Sequence, residues 1–307
     1  MALAVSTSWN AYRFNHGGKL LFEISQLGFK AVELSFNLSS IMVEQLARQA
    51  RKLDVKIVSA HNFCPVPDGL SREIALPDYY SLASVDEHLR ILALKFTKRS
   101  IDTVSSLGAK VLVLHCGRVE IPDYTRQLIN LYNQGRKDST EFRELREKMI
   151  CQREQESAKF FGQALKSLDE LNAYAKLKDV LLGVETRFYY REIPHIDEIG
   201  VILNKFSNSQ IYYWHDTGHA QLMENLGLAR HEDFLKRYSQ QLIGVHLHDI
   251  LGCQDHLAPL QGEIDFRMLK PYLKKDSLKI IEAHFQASAA DLVKSRNFIS
   301  GIYDESI

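Results

Sequence analysis

Short apolar runs, rich in β-branched and aromatic residues, alternate with longer segments of helical periodicity along the whole chain. Each short run predicts a strand that is buried on both faces, and each longer segment predicts a helix that covers the resulting sheet. The predicted strands comprise residues 3–8, 30–34, 55–60, 109–114, 180–184, 210–214, 242–247 and 278–281.

Typical helix-capping residues flank several of the periodic segments. Gly28 and Gly108 stand where two of the predicted helices should end, and Ser39 or Ser40 provides an N-cap for a third. Residues 119–148 are strongly charged and contain few strand signals, so they predict an excursion of extra helical turns. A helix through residue 177 should follow the excursion, and the other main helices are predicted for residues 19–26, 40–52, 86–107, 196–205, 231–238 and 288–302.

Eight β–α units in 307 residues close most economically into a (β/α)8 TIM barrel, which is an α/β fold. No Pro-, Gly- or Ser-rich linker divides the chain. We therefore expect a single domain over residues 1–307, with the helical excursion of residues 119–148 after the fourth strand. A doubly wound open sheet is the alternative, but the first strand is not followed by the GxGxxG motif of nucleotide-binding sheets.

The composition narrows the class of protein. Lys plus Arg and Asp plus Glu both number 38, so the formal net charge is zero and no basic surplus favours nucleic-acid binding. The four cysteines are far apart and form no CxxC pair, which indicates a reducing compartment. The chain has neither an apolar stretch of membrane-spanning length nor the profile of a signal peptide. We expect a cytoplasmic protein that does not bind a membrane.

Acids and histidines occur at or just after the ends of seven predicted strands. In a barrel these strand ends converge on one face, where the loops build the active site. Burying such groups close together costs several kcal/mol unless their charge is compensated, and a divalent cation is the simplest compensation. The seven residues are Glu33, His61, His115, Glu185, Asp216, His246 and Glu282.

Four of these residues form the innermost candidate metal site, namely Glu185, Asp216, His246 and Glu282. Carboxylates with imidazole suit Mn²⁺, Mg²⁺, Co²⁺, Zn²⁺ or Fe²⁺, and the lack of a thiolate set argues against a structural zinc site. His248 follows His246 by two residues and is either a supporting partner or an ordinary loop residue. The competing interpretation for the glutamates is ion pairing with a nearby Lys or Arg.

Seven short segments, in order from the second to the eighth predicted strand, match motifs of one known superfamily. They are Val32-Glu33-Leu34-Ser35, Ser59-Ala60-His61, Leu114-His115-Cys116-Gly117, Gly183-Val184-Glu185, His215-Asp216-Thr217-Gly218-His219-Ala220, Val245-His246-Leu247-His248-Asp249 and Ile281-Glu282. On these segments the chain resembles the xylose isomerase-like TIM-barrel superfamily. That superfamily contains sugar and sugar-phosphate isomerases and epimerases as well as endonuclease IV.

The resemblance implies that the innermost four residues bind one divalent metal ion. It also implies that Glu185 and Glu282 lie on opposite sides of a sugar or sugar-phosphate substrate and move a proton off and onto a carbon beside a carbonyl. His219 resembles the substrate-contacting histidine of its motif. Further candidates to bind substrate or a secondary metal are Glu33, His61, His115 and His256. Arg187 is either a contact for a phosphate or carboxylate or part of a surface ion pair. Related barrels often form dimers or tetramers, so a homo-oligomer is an open expectation.

The first alternative function is an endonuclease IV-like phosphodiesterase that acts on abasic DNA. The larger metal cluster of that enzyme uses histidines that resemble His61, His115, His219 and His256, and it would bind two or three cations. Against this alternative stand the zero net charge and the position of Asp255 directly before His256, where the nuclease pattern has one residue between.

One segment departs from the superfamily pattern. The usual Pro-Gly-Glu-Gly loop after the seventh strand is replaced by Pro259-Leu260-Gln261-Gly262. The usual contacts of this loop with substrate are therefore in doubt. The departure leaves a second alternative, a non-catalytic barrel that binds a metal or a sugar.

Overall fold

The protein is an eight-stranded parallel β/α barrel in a computed structural model that describes residues 3–303. Its strands are β1 (Ala4–Ser6), β2 (Ala31–Leu34), β3 (Lys56–His61), β4 (Val111–Leu114), β5 (Leu181–Glu185), β6 (Ile211–Asp216), β7 (Leu242–Leu247), β8 (Asp249–Leu251), β9 (Gln254–Leu257) and β10 (Leu278–Ile281). All except β8 and β9 are parallel and close in the order β1-β10-β7-β6-β5-β4-β3-β2. The predicted TIM barrel is confirmed. The domain predicted for residues 1–307 extends beyond the described residues at both ends.

Helices connect most of the strands and pack around the barrel. They are α1 (Gly17–Gln26), α2 (Ser40–Leu53), α3 (Glu87–Ser106), α4 (Tyr124–Asn133), α5 (Thr140–Lys178), α6 (Ile196–Lys205), α7 (Thr217–Asn225), α8 (His231–Tyr238) and α9 (Ala289–Tyr303). Within residues 3–303, none of the helices combines the length and the hydropathy needed to cross a membrane.

The predicted excursion consists of α4 and the first turns of α5. We expected it to be separate from the helix that follows, but α5 is continuous over 39 residues. This segment contains no proline and one glycine, Gly162, so no strong helix breaker divides it.

Two further local predictions differ from the structure. The first strand ends at Ser6 rather than at residue 8, because Thr7–Trp9 forms a 3-10 turn and the Ser6 side chain accepts a hydrogen bond from Ser8 N. After β7 the chain forms an antiparallel hairpin of β8 and β9, which the apolar pattern did not indicate. Its turn contains Gly252 at a φ of 61°.

The interior of the barrel is filled around Trp214 of β6. The buried indole packs among small and branched side chains from other strands of the barrel, including Ala31, Val113 and Ile280. Because Gly183 and Gly244 lie on the adjacent strands β5 and β7, the ring occupies the space that their side chains would otherwise fill. Two larger apolar clusters fill the layer between the strands and the surrounding helices.

The substitutions Gly244→Ala and Gly162→Ala test this packing. A Cβ at Gly244 would lie 2.2 Å from the Trp214 ring, so we expect the free energy of unfolding to fall by about 1–3 kcal/mol. Gly162 is exposed in α5, where a Cβ meets no atom within 4 Å. Alanine at this position should therefore raise the free energy of unfolding by up to about 1 kcal/mol. Urea unfolding measures both, and equal changes would contradict the packing described for Trp214.

Candidate metal centre and active site

The carboxyl ends of the barrel strands carry the acids and histidines that the sequence singled out. Because parallel strands all end on one face, these side chains form a connected cluster at that end of the barrel. Each is at most 9% exposed. The cluster comprises Glu33, His61, His115, Glu185, Asp216, His246 and Glu282.

His246 lies at the centre of the cluster. Its Nδ1 is 2.5 Å from Glu185 Oε1, 2.8 Å from Glu282 Oε2 and 3.7 Å from Asp216 Oδ2. The ligand atoms of these four residues all lie within 4.8 Å of one another. Asp216 Oδ2 is buried and has no hydrogen-bond partner among the described residues. The innermost set proposed from the sequence is therefore assembled in space.

The hydrogen bonds of His246 show that this set fits a cation. The other ring nitrogen, Nε2, lies 2.9 Å from Glu33 Oε1, so it carries a proton and donates it. Burial disfavours the charged ring, but the carboxylates of Glu282, Glu33 and Glu185 outweigh it and hold the pKa of His246 well above its ordinary value. A proton on Nδ1 thus occupies the place of a divalent ion, which would also give Asp216 Oδ2 a partner.

Glu33 lies beneath His246 rather than beside an open space. It is fully buried, and its second oxygen accepts a hydrogen bond from Ser59 Oγ at 2.7 Å. The sequence had placed Glu33 among residues that bind substrate or a secondary metal. Its position instead suits a carboxylate that orients a ligating histidine from behind.

A second group of candidate ligands consists of His61, His115 and Glu185. His115 Nε2 is 2.7 Å and His61 Nε2 is 3.5 Å from Glu185 Oε2. His61 Nδ1 donates to the carbonyl of Asn62 at 3.0 Å, and its Nε2 faces Glu185. Glu185 therefore belongs to two adjacent groups.

A third group consists of His219, His248 and His256. His219 Nδ1 donates to the carbonyl of Thr186 at 3.0 Å, and His256 Nδ1 donates to Asp255 at 2.6 Å, so both leave Nε2 free. His248 has both nitrogens engaged. Its Nε2 donates to Asp216 Oδ1 at 2.8 Å and its Nδ1 accepts from the backbone N–H of His256. Of the two roles considered for His248, the structure favours support of Asp216.

Arg187 is buried and does not form a surface ion pair. Its guanidinium lies 3.0 Å from Glu185 Oε2, 3.0 Å from Glu192 Oε1 and 3.7 Å from Asp78 Oδ2. Burial opposes its charge, but Glu192, Asp78 and Glu185 together raise the pKa of Arg187 above its ordinary value. Carboxylates of the chain itself thus surround the cation for which a phosphate or carboxylate contact was one of the two predicted roles.

Three residues of the site were not identified from the sequence. Asp78 comes from the long loop after β3 and lies 3.4 Å from His115 Nδ1, while Glu192 comes from the loop after β5. His284 stacks on His256 with ring centroids 3.7 Å apart. The only available signal was the position of His284, two residues after Glu282.

The loop that departs from the superfamily pattern is held by Asp249. Its carboxylate accepts backbone N–H bonds from Leu260 and Ile264 at 3.0 Å each. Leu260 adopts a φ of 85°, a conformation that favours glycine. A Cβ at Gly262 would lie 2.2 Å from the Ile250 carbonyl oxygen, so the loop packs closely on β8.

The chain belongs to the family of xylose isomerase-like TIM barrels, whose family model matches residues 21–292. It is 26% identical over 170 residues to the uncharacterized protein y4fM of Sinorhizobium fredii, a match that covers 55% of this chain and 44% of that protein. It is 25% identical over 264 residues to the uncharacterized protein MJ1614 of Methanocaldococcus jannaschii, a match that covers 85% of this chain and 83% of that protein.

Solved structures of sugar epimerases share the fold. A D-tagatose 3-epimerase-like protein superposes with a TM-score of 0.69 at 19% identity, covering 98% of this chain and 97% of that chain. The 3-keto-D-glucoside 4-epimerase of E. coli superposes with a TM-score of 0.68 at 15% identity, covering 98% of this chain and 99% of that chain. At these identities the comparison establishes a common architecture.

The substitution Asp216→Asn tests the metal site. Because it alters a candidate ligand whose Oδ2 has no hydrogen-bond partner among the described residues, we expect Mn²⁺ affinity to fall at least about 100-fold. The matched control is Asp138→Asn, which changes an exposed carboxylate in the turn before α5. Isothermal titration calorimetry on the metal-free protein measures both affinities, and equal affinities would contradict the site.

The substitution Glu33→Gln tests the support of His246 from behind. We expect it to weaken Mn²⁺ binding about 10- to 100-fold, because an amide orients the imidazole less firmly than a carboxylate. Ser59→Ala removes only the outer hydrogen bond to Glu33, so its effect should be smaller. An unchanged affinity in Glu33→Gln would show that His246 needs no such support.

Proposed function

We propose that this protein is a divalent-metal-dependent sugar isomerase or epimerase that transfers a proton at a carbon next to a carbonyl. The observation that supports the proposal is the placement of Glu185 and Glu282. They come from β5 and from the end of β10, strands that β6 and β7 separate, and both reach the candidate ion position at His246.

The chemistry assigned to the two glutamates follows from this placement. A bound divalent ion would polarise the carbonyl and hydroxyl oxygens of the sugar and make the intervening C–H more acidic. Glu185 and Glu282 would then hold and return the proton, one on each side of the sugar, as general base and general acid. Both carboxyls are almost fully buried, which strengthens their electrostatic interactions with an ion and a substrate.

The family and its structural relatives support an enzyme of the isomerase or epimerase kind. Chains of the same architecture include a D-tagatose 3-epimerase-like protein and a 3-keto-D-glucoside 4-epimerase. Because one fold supports many chemistries, the fold alone does not assign the reaction, and the arrangement of Glu185 and Glu282 carries the argument.

The charges around the site favour an uncharged sugar over a sugar phosphate. Arg187, the residue first considered for a phosphate contact, is already surrounded by Glu185, Glu192 and Asp78. Together with Asp216 and Glu282 these carboxylates give the site a negative field that one divalent ion does not reverse. A substrate with hydroxyl groups and no net charge fits this field best.

The substitutions Glu185→Gln and Glu282→Gln test the proton transfer. In each variant we expect the incorporation of solvent deuterium into the substrate to fall about 10²- to 10⁴-fold. NMR of ketoses incubated with the Mn²⁺-loaded protein in D₂O measures the incorporation. Glu44→Gln, an exposed change in α2, is the control. If both site variants incorporate deuterium as fast as the unaltered protein, Glu185 and Glu282 do not transfer the proton.

A comparison of a free ketose with its phosphate tests the preference for an uncharged substrate. We expect kcat/KM for D-allulose to exceed that for D-allulose 6-phosphate at least about tenfold, because the carboxylates around Arg187 oppose a second anion. A preference for the phosphate would show that Arg187 is released from Glu192 and Asp78 to bind it.

A phosphodiesterase is the second candidate function, and the two additional histidine groups favour it. His61 and His115 meet Glu185 on one side of the inner set, and His219 and His256 present free Nε2 atoms on the other. Such groups fit two or three cations, which suit phosphoryl chemistry. Metal content after dialysis separates the candidates, since one ion per chain supports the isomerase. Two or three ions, with cleavage of abasic DNA, would support the phosphodiesterase.

A further inference from the structure

Tyr213 and His215 are polar residues in the apolar layer outside the barrel. Side chains alternate along β6, so Trp214 and Asp216 point inward while these two point toward the helices. Both are fully buried, and their polar atoms need partners. The Tyr213 hydroxyl lies 2.7 Å from Thr186 Oγ1 and 2.7 Å from His215 Nδ1, and His215 Nε2 lies 3.0 Å from His231 Nε2.

The far end of this chain of hydrogen bonds has a fixed direction. Asn225 Nδ2 donates to the Gly252 carbonyl at 2.6 Å and to a Glu263 carboxylate oxygen at 2.8 Å, and both of these only accept. Asn225 Oδ1 therefore accepts from Gln221 Nε2 at 3.0 Å. The remaining polar atom, Gln221 Oε1, lies 3.0 Å from His231 Nδ1 and can only accept.

Every proton along the chain is then assigned. His231 carries its proton on Nδ1, so its neutral Nε2 accepts from His215 Nε2–H. His215 Nδ1 in turn accepts from the Tyr213 hydroxyl, whose oxygen accepts from Thr186. Both rings are buried in the apolar layer, which disfavours a charged imidazole. The reverse direction would place two acceptors, His231 Nδ1 and Gln221 Oε1, against each other.

The near end of the chain is Thr186, which lies between Glu185 and Arg187 in sequence. Its N–H donates to the Trp214 carbonyl at 3.1 Å, and its carbonyl accepts from His219 Nδ1 at 3.0 Å. The chain does not serve as a proton path, because the side-chain amides of Gln221 and Asn225 interrupt it and do not relay protons. Its consequence is mechanical, since it fixes the peptide from which Glu185 projects and the ring orientation of His219.

We propose that Thr186, Tyr213, His215, His231, Gln221 and Asn225 form a one-directional hydrogen-bond chain that positions Glu185 and His219. The chain runs from the candidate active site to Glu263, directly after the loop that departs from the superfamily pattern. These are positioning residues. Their effect on turnover rests on the proposed isomerase function. The assigned histidine tautomers are independent of that function.

Long-range ¹H–¹⁵N NMR of the ¹⁵N-labelled full chain at pH 7 tests the direction. Variants that lack single histidines assign the signals. We expect the proton on Nδ1 of His231, on Nε2 of His215 and on Nδ1 of His219. A His231 protonated on Nε2, or a His215 protonated on Nδ1, would overturn the proposal, whatever reaction the protein catalyses.

Matched variants test the positioning role. Tyr213→Phe and Thr186→Val each break the chain at one hydroxyl, while Thr186→Ser retains it. Tyr238→Phe, the control, removes a hydroxyl that donates to the Ile196 carbonyl outside the chain. We expect both breaking variants to mix the His219 tautomers and to lower kcat for deuterium exchange at least about tenfold.

The controls decide between positioning and general stability. Thr186→Ser should restore the His219 tautomer and kcat, and Tyr238→Phe should leave both unchanged. If Tyr213→Phe and Tyr238→Phe change the His219 tautomer and kcat equally, the hydrogen-bond chain contributes only ordinary packing and has no positioning role. If the unaltered protein incorporates deuterium into none of the sugars tested, the proposed isomerase function is wrong. The His219 tautomer in Tyr213→Phe then still decides the positioning role. An unchanged tautomer in that variant overturns it.

Discussion

The balance of charge around the buried His246 is the constraint on which the site depends. Four carboxylates, those of Glu33, Glu185, Asp216 and Glu282, approach one imidazole out of contact with water. Such a group is costly to bury unless positive charge is added. A proton on the ring supplies one charge, and a divalent ion would supply two. The barrel therefore holds together a set of acids that is more stable with a cation than without one.

The fold and the inner site could be predicted because both depend on regular strands. Apolar runs mark the strands, and parallel strands in a barrel bring every carboxyl end to one face, so the residues at those ends must converge. Glu185, Asp216, His246 and Glu282 were identified in this way, and the structure brings their ligand atoms within 4.8 Å of one another. Their role in binding an ion remains a prediction.

The residues that the sequence did not identify come from loops or from the outer layer. Asp78 and Glu192 enter the site from irregular segments, whose paths no periodicity specifies, and the β8–β9 hairpin was missed for the same reason. The chain through His215 and His231 escaped notice because a histidine on an outward strand position is usually an ordinary core residue. The helix boundary before α5 was placed too late, since charge alone does not end a helix.

The Trp214 indole determines from which end of the barrel solutes can reach the cluster. It fills the central space between Gly183 and Gly244, and its ring centroid lies 5.0 Å from that of His246. Within residues 3–303 it therefore forms a solid floor directly under the cluster. Solutes and solvent therefore reach the cluster from the end of the barrel that carries the loops after β3 and β5 and the β8–β9 hairpin, so these segments control access to it.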